Sequence, residues 1–337
     1  MITNALKEIV NGQNLTYAEA YACMDEIFSG EVSEAVTAGY LTALHMKGES
    51  IDEITASANG MRSHAEKLPC DSSQVLEIVG TGGDCANSFN ISTTSAMVAA
   101  AAGIPIAKHG NRGVSSKSGA ADVLESLGVN ITISPEKMGE VLKECNMSFM
   151  FAQVYHKAMK YVAPVRKALG IPTVFNILGP LTNPACAEMQ ILGVYKEELV
   201  DQMAPVLAGL GVKKGLVVYG QDCLDEISMS APTTVCEIDN GKFKKYVIEP
   251  EDFGFEKCSK EELVGGDPAE NAAITKAILN GEEKGAKRNA VVLNAAACIY
   301  VAGKAESMKD AVAVAEEMID SGKAMEVLHK FVELTNK

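Results

Sequence analysis

Tryptophan is absent from this 337-residue chain and aromatic residues make up only 5% of it. That leaves little material for the stacking platforms that bind single-stranded nucleic acid. Cations are also scarce: 30 Lys and Arg stand against 44 Asp and Glu, a formal net charge of −14. Such a balance argues against a non-specific nucleic-acid coat and a polybasic membrane anchor, so neither partner is expected. It leaves an anionic small molecule open, because a ligand meets local charge. The nine cysteines form no Cys-x-x-Cys pair, so zinc clusters and redox dithiols have no support. Their scatter and odd number read as reduced thiols of a cytoplasmic protein. No apolar run approaches the ~20 residues of a membrane span, and the start has no signal-peptide core.

What is present is ample core material. Hydrophobic residues reach 47% and charged residues 22%, which excludes global disorder and suggests about two domains. The first 65 residues read as helices. Thr16-x-x-Glu19 caps one running to about Phe28, Val32–Met46 supplies another, and Ser50-x-x-Glu53 caps a third near Ile54–His64. Beyond Pro69, strands alternate with helices. Strands are expected at 75–79, 104–110, 148–152, 189–195 and 214–220, and helices at 88–103, 118–128, 135–145, 156–169, 197–209, 286–302 and 307–334. The 156–169 helix is interrupted or restarted at Pro164. This alternation implies an α/β core.

Four stretches carry chemistry. Gly80-Thr81-Gly82-Gly83-Asp84 follows a strand. It reads as an ordinary tight turn or as a nest of amides for an anion, with Asn90-Ile91-Ser92-Thr93 opening the next helix. Its spacing is neither the dinucleotide fingerprint nor the P-loop. Lys108 to Gly119 combines Lys108, Arg112 and Lys117 with hydroxyls and glycines, and no Asp or Glu occurs from Cys85 to Ala121. Such a gap suits phosphate oxygens. Asp225-Glu226 supplies adjacent hard carboxylates, to which Ser92 adds an oxygen, a set that fits Mg²⁺ completed by waters and phosphates. On one helix, His156 and Lys160 would share a face, with Arg166 about a turn and a half later. Arg166 either clamps a carboxylate or closes a salt bridge between lobes, and His156 either orients a ligand or closes a helix contact.

Taken together, GTGGD (80–84), NIST (90–93), KHGNR (108–112), VSSKSG (114–119), AADVLESLG (120–128), HKAMKYVAPVR (156–166), FNILGPLTNP (175–184) and LDEIS (224–228) resemble the anthranilate phosphoribosyltransferase family, of the nucleoside phosphorylase/phosphoribosyltransferase type. The resemblance implies a small all-helical N-terminal domain, residues 1–68, completed by helices from about 160–190. It packs on a larger α/β domain, residues 69–337, with a central mixed sheet. The implied reaction joins anthranilate to 5-phospho-α-D-ribose 1-diphosphate (phosphoribosyl pyrophosphate) and releases pyrophosphate, in tryptophan biosynthesis, by a Mg²⁺-dependent homodimer.

By the same resemblance, the donor would meet Gly80, Gly83, Asp84, Ser88, Asn90, Ile91, Ser92, Thr93, Lys108, His109, Gly110, Asn111, Arg112, Gly113, Val114, Ser115, Ser116 and Ala120. Anthranilate would meet Gly80, Asn111, His156 and Arg166, with His109 near its path. Mg²⁺ would be engaged by Ser92, Asp225 and Glu226. No residue is assigned as a firm acid or base. Four positions depart from the family pattern: Pro172, where Arg is common; Ala120, for Ser; Tyr219, for His; and Cys223, for Gly. They bear on acceptor choice. The alternatives are a phosphoribosyltransferase for another aromatic acid, then a nucleoside phosphorylase, then a non-catalytic interaction protein.

Overall fold

The computed structural model describes residues 1–337 except Cys85, Val114 and Ser115. Four helices come first: α1 (Ile2–Val10), α2 (Tyr17–Phe28), α3 (Glu34–Lys47) and α4 (Ile51–Ser63). Both expected capping boxes form, Thr16 with Glu19 and Ser50 with Glu53. Glu53 is fully buried and also accepts the Leu15 amide at 2.9 Å and the Lys47 ammonium at 2.8 Å, so one cap residue ties three helical segments together.

The remainder is built on a seven-stranded mixed sheet. Its first part runs β1 (Leu76–Gly80), α5 (Ile91–Ala101), β2 (Ile106–Gly110), α6 (Ala120–Ser126), α7 (Pro135–Cys145) and β3 (Met147–Phe151). Three short helices follow, α8 (Ala152–Tyr155), α9 (Ala163–Leu169) and α10 (Phe175–Leu178). Then come β4 (Met189–Gly193), α11 (Glu198–Gly209), β5 (Lys214–Gly220), β6 (Thr233–Asp239), β7 (Lys242–Ile248) and α12 (Pro268–Leu279). The chain ends in α13 (Ala286–Val301), α14 (Met308–Asp320) and α15 (Lys323–Thr335). The strand order is β3-β2-β1-β4-β5-β6-β7. The first five strands are parallel, and β6 and β7 are antiparallel additions.

Alternation along the strands divides the interior into two cores. Ile191, Leu216 and Val218 face one cluster with α5 and α13–α15, while Leu192 and Val217 face the other with α11 and the N-terminal helices. Val162, Val165, Val174, Phe175, Ile177 and Leu178 join that second cluster, so the segment after β3 packs into the helical lobe. Arg62, at the end of α4, locks the lobes together by donating to the carbonyls of Leu181 (2.8 Å) and Leu210 (2.9 Å).

One helix is interrupted as expected near Pro164, and one differs from expectation. Residues 156–169 are not one α-helix: Lys157–Tyr161 is a 3₁₀ turn and α9 restarts with Pro164 in its first turn, where a missing N–H is harmless. His156 and Lys160 therefore share no α-helical face. The expected helix 307–334 is two, broken at Gly322, whose φ of 78° no helix interior accommodates.

Candidate active site

The chain moves outward from β1 in both directions, to β2 and β3 on one side and to β4 and β5 on the other. The carboxyl ends of β1 and β4 thus flank a crevice at the point where strand order reverses, which is where open α/β sheets bind ligands. The Gly80–Asp84 stretch leaves β1 there, with Gly82 at φ 70° and Gly83 at φ 79°. The 221–228 segment leaves β5 and folds back over the same crevice. Cβ atoms added to Gly80 or Gly193 would collide with Asp225, so only glycine permits this seating.

Two backbone donors fix the carboxylates. Gly82 N–H donates to Asp225 Oδ2 at 2.6 Å, and Ser92 N–H, in the first turn of α5, donates to Glu226 Oε1 at 3.1 Å. The positive end of α5 is therefore held by Glu226. The N-cap Asn90 makes no side-chain cap bond; its amide donates instead to the Ser118 carbonyl at 3.3 Å. Burial, then the neighbouring Asp84 and Glu226 carboxyls, raises the Asp225 pKa well above the usual range. Burial pushes Glu226 up to about 7, against the pull of Lys108.

Lys108 lies on β2, fully buried, donating to the Ile78 carbonyl (2.6 Å) and Ser92 Oγ (3.1 Å). Burial lowers its pKa, opposed by Glu226 and Glu77. It is an internal counter-charge rather than part of an open cationic loop.

The acid-free stretch of sequence is closed by acids in space. Arg112 pairs with Asp122 at 3.0 Å and with Glu125, and Asp122 also accepts the amides of Gly113 (2.8 Å) and Gly119 (2.9 Å). Ser116 Oγ turns to the Ser118 carbonyl at 3.4 Å. Asn111 Oδ1 accepts the Arg112 amide at 2.8 Å. Gly110 ends β2, Ser88 bridges to Val264, and Ala120 opens α6. Ile91 and Thr93 are buried. Val114 and Ser115 lie outside the described residues.

His109 and His156 meet edge to face, ring centroids 5.0 Å apart. His109 Nδ1 lies 3.2 Å from the Gly179 carbonyl, while its Nε2 is buried with no hydrogen-bond partner among the described residues. Burial lowers both pKa values, that of His156 to about 4, so both rings are neutral near pH 7. Arg166 stands on α9 with its guanidinium 5.4 Å from the Phe175 ring centroid, and Phe175 packs edge-on against Phe28 of α2. Among the described residues no hydrogen bond joins Arg166 to Gly80, Asn111 or His156. The residues grouped with the donor thus sit on the α/β lobe, and Arg166 sits on the helical lobe.

Asn294 of α13 plays a part that sequence reasoning missed. Its side chain accepts the Ile227 amide at 3.0 Å and donates to the Ile227 carbonyl at 2.9 Å, pinning the backbone directly after Glu226. An asparagine inside an alanine-rich helix gives no local signal of that role.

The four departures have identifiable settings. Cys223 takes φ 67°, a conformation glycine adopts freely, and the Tyr219 hydroxyl reaches its Sγ at 3.5 Å. Pro172 is exposed between α9 and α10. Ala120 is half-buried at the start of α6.

Among the described residues no three His, Cys, Asp or Glu side chains close a metal cage. The crowded Asp225, Glu226 and Asp84 carboxyls nevertheless form a hard-oxygen set. It suits a divalent cation that keeps waters and phosphate oxygens.

Comparison with known proteins agrees with this architecture. "Glycosyl transferase family, helical bundle domain" matches residues 3–65, and "Glycosyl transferase family, a/b domain" matches residues 72–325. The anthranilate phosphoribosyltransferase of Methanobrevibacter smithii is 63% identical over 336 residues, covering 100% of both chains. The crystal structure of the Thermus thermophilus enzyme superposes with a TM-score of 0.94 at 45% identity, covering 99% of each chain. The Saccharomyces cerevisiae enzyme in complex with phosphoribosyl pyrophosphate and Mg gives 0.91 at 29% identity, covering 99% of this chain and 98% of that one. With both domains matched in order and relatives aligned end to end, the chain belongs to the anthranilate phosphoribosyltransferase family of glycosyl transferases.

Proposed function

We infer that the chain transfers the 5-phosphoribosyl group from 5-phospho-α-D-ribose 1-diphosphate to the amine of anthranilate, releasing pyrophosphate, as a step of tryptophan biosynthesis. The observation that carries this reading is the seating of Asp225 and Glu226 against Gly82 and Ser92 at the switch-point crevice. It joins an acidic pair to a phosphate-type loop within a family of matching chemistry.

The nitrogen lone pair of anthranilate forms the new bond to ribose C1. The C1–O bond to pyrophosphate breaks with its electrons leaving on oxygen, and the nitrogen gives up one proton to the departing pyrophosphate or to water. An aromatic amine is already neutral near pH 7, so no side chain has to generate the nucleophile, and none is assigned as a strong base. Holding amine and C1 in line supplies much of the rate effect. Arg112, drawn from Glu125, would meet the growing charge of the leaving group. Gly80, Gly83, Asp84, Ser88 and Asn90–Thr93 line the donor side, with Lys108–Gly113, Ser116 and Ala120 opposite. Arg166 takes the anthranilate carboxylate. The neutral His109 and His156 rings, with Asn111 and Gly80, border the acceptor without competing for its charge. Mg²⁺ would be held by Ser92, Asp225 and Glu226, and when bound it supplies charge neutralisation at the diphosphate.

The described residues contain no helix long and apolar enough to cross a membrane, and a cytoplasmic setting is part of the proposal. Exposed Val10 (70%) and Met46 (82%) on the helical lobe suit the proposed homodimer. We also propose the division into residues 1–68 and 69–337, with 160–190 completing the helical domain.

The test is an acceptor panel. Purified protein with donor and Mg²⁺ should release pyrophosphate with anthranilate and far less with other aromatic acids. Turnover of nucleosides with phosphate, or a preferred acceptor other than anthranilate, would overturn the reading.

A further inference from the structure

The segment Leu263–Asn271 forms a third wall beside the two ligand loops. Residues 263–265 run antiparallel to 87–89: the Phe89 amide donates to the Leu263 carbonyl at 3.1 Å, and the Gly265 amide donates to the Asn87 carbonyl at 2.9 Å. A Cβ on Gly265 would press into Phe89 and Asn271, so the strap lies flat against the loop.

From there α12 runs alongside α5. Two polar rungs connect the helices, each four residues from the other on both sides. Asn271 Nδ2 donates to Asn90 Oδ1 at 2.9 Å, and the Thr275 and Thr94 hydroxyls meet at 2.9 Å. Asn271 is 1% exposed and its own Oδ1 accepts the Gly266 amide at 2.8 Å, which fixes the flip of its amide. Asn90 Oδ1 also accepts the Ser118 hydroxyl at 3.2 Å, and Asn90 Nδ2 reaches the Ser118 carbonyl at 3.3 Å. One chain of hydrogen bonds thus runs Gly266–Asn271–Asn90–Ser118 and ties the α12 strap, the helix after the first loop, and the end of the second loop. With its oxygen engaged by Asn271 and Ser118, Asn90 does not cap α5, and the Ser92 amide in the first turn is taken instead by Glu226.

We propose that Asn271 is a positioning residue for the phosphoribosyl donor, acting through Asn90 to hold the two ligand loops at their working separation. The proposal rests on the functional reading above. It adds a residue that touches neither substrate and an element, α12, that lies outside both loops.

The test is a double-mutant cycle on the full chain: wild type, Asn271→Ala, Asn90→Ala and the pair. The readouts are KM for donor at saturating Mg²⁺, KM for anthranilate, kcat and Tm. Asn271→Ala should raise the donor KM about tenfold, while the anthranilate KM stays within about twofold. In the Asn90→Ala background the same change should have no further effect on the donor KM, because the relay is already cut. Independent, multiplying losses would overturn the proposal, as would equal losses for both substrates tracking Tm. Asn271→Asp keeps the acceptor that Gly266 needs and replaces the donor given to Asn90 with a carboxylate oxygen that repels the Asn90 oxygen. If the alanine variant does not fold, the cycle is run with it, and a wild-type donor KM in Asn271→Asp contradicts the relay. A wild-type chain that turns over no phosphoribosyl donor would fail the functional reading itself, and the first arm of the experiment detects that separately.

Discussion

The two loops that meet at the crevice are held by opposite means. The 221–228 loop is pinned from inside: Asp225 and Glu226 are less than a tenth exposed, their carboxylates accept from backbone amides, and Asn294 grips Ile227 from α13. At Arg112 the 111–119 loop is held from outside, while Ser118 near its end is tied inward to Asn90. Arg112 is 44% exposed and Glu125 40%, and exposed pairs of this kind contribute only ~0–1 kcal/mol. The carboxylate side is therefore preformed, at the cost of crowding like charges. On the opposite side, a phosphate can draw Arg112 from Glu125 at small expense. The difference teaches that the acidic and basic halves of the proposed ligand site need not be equally rigid.

Removing the preformed half should have the largest effect. Asp225→Ala with Glu226→Ala should lower donor kcat/KM by about 10²–10³-fold across a Mg²⁺ titration and flatten its metal dependence. Because two raised carboxyls leave the interior, thermal stability should hold or rise. Unchanged kinetics would remove this loop from the site.

Arg166→Ala comes next. Deleting one partner of a desolvated charge pair costs about 2–5 kcal/mol, so the anthranilate KM should rise at least about 30-fold, with the donor KM little changed. The loss should shrink for an acceptor analogue without the carboxylate, and equal losses for both acceptors would sink the carboxylate role.

Much of this was legible in the sequence. Thr16–Glu19 and Ser50–Glu53 are local signals, and they cap as expected. The parallel strands read from short apolar runs beside glycines. The β6–β7 hairpin also had its signal, alternating residues about Asn240-Gly241, whose φ values of 49° and 79° are those of a tight hairpin turn. Asp267-Pro268 with Glu270 likewise marks the start of α12. The site was legible in residue type but not in partnership. Lys108 looks like a loop cation and is a buried counter-charge, and Arg112 looks free and is paired with Asp122 and Glu125. Those partners come from other elements, so spacing along the chain carries no trace of them. Asn294 and Asn271 are silent for the same reason.

Asn294→Ala probes the pinning directly. It leaves the Ile227 amide and carbonyl unpaired in the interior, which costs about 1–3 kcal/mol and several degrees of Tm. The apparent Mg²⁺ requirement should rise with it. A Tm loss with unchanged metal dependence would make Asn294 structural only.

A pH effect separates the acceptor side from both loops. His156 takes a proton near pH 6.5 when unfolded, but only near 4 when folded, because it is buried beside cations. At this ring the unfolded state binds more protons in that window, so its contribution to stability should fall as pH drops from about 6.5 to 4, by about 3 kcal/mol, and be complete above it, opposite in sign to the contribution of the raised Glu226 carboxyl. His156→Gln should flatten this limb in denaturant titrations at stepped pH. An unchanged slope would place the titration elsewhere.

The smallest effect is expected at Arg112. Arg112→Ala should change unfolding free energy by less than about 1 kcal/mol, yet raise the donor KM measurably. A large stability loss would contradict the external holding of this loop.

The most direct test is a crystal structure of the chain with phosphoribosyl pyrophosphate and Mg²⁺. The account predicts the diphosphate between the 80–93 and 108–119 segments, a Mg²⁺ about 2.1 Å from an Asp225 or Glu226 oxygen, and the 221–228 backbone unmoved while Arg112 leaves Glu125. A diphosphate bound away from the β1–β4 switch point, or a 221–228 loop rearranged around the metal, would contradict it.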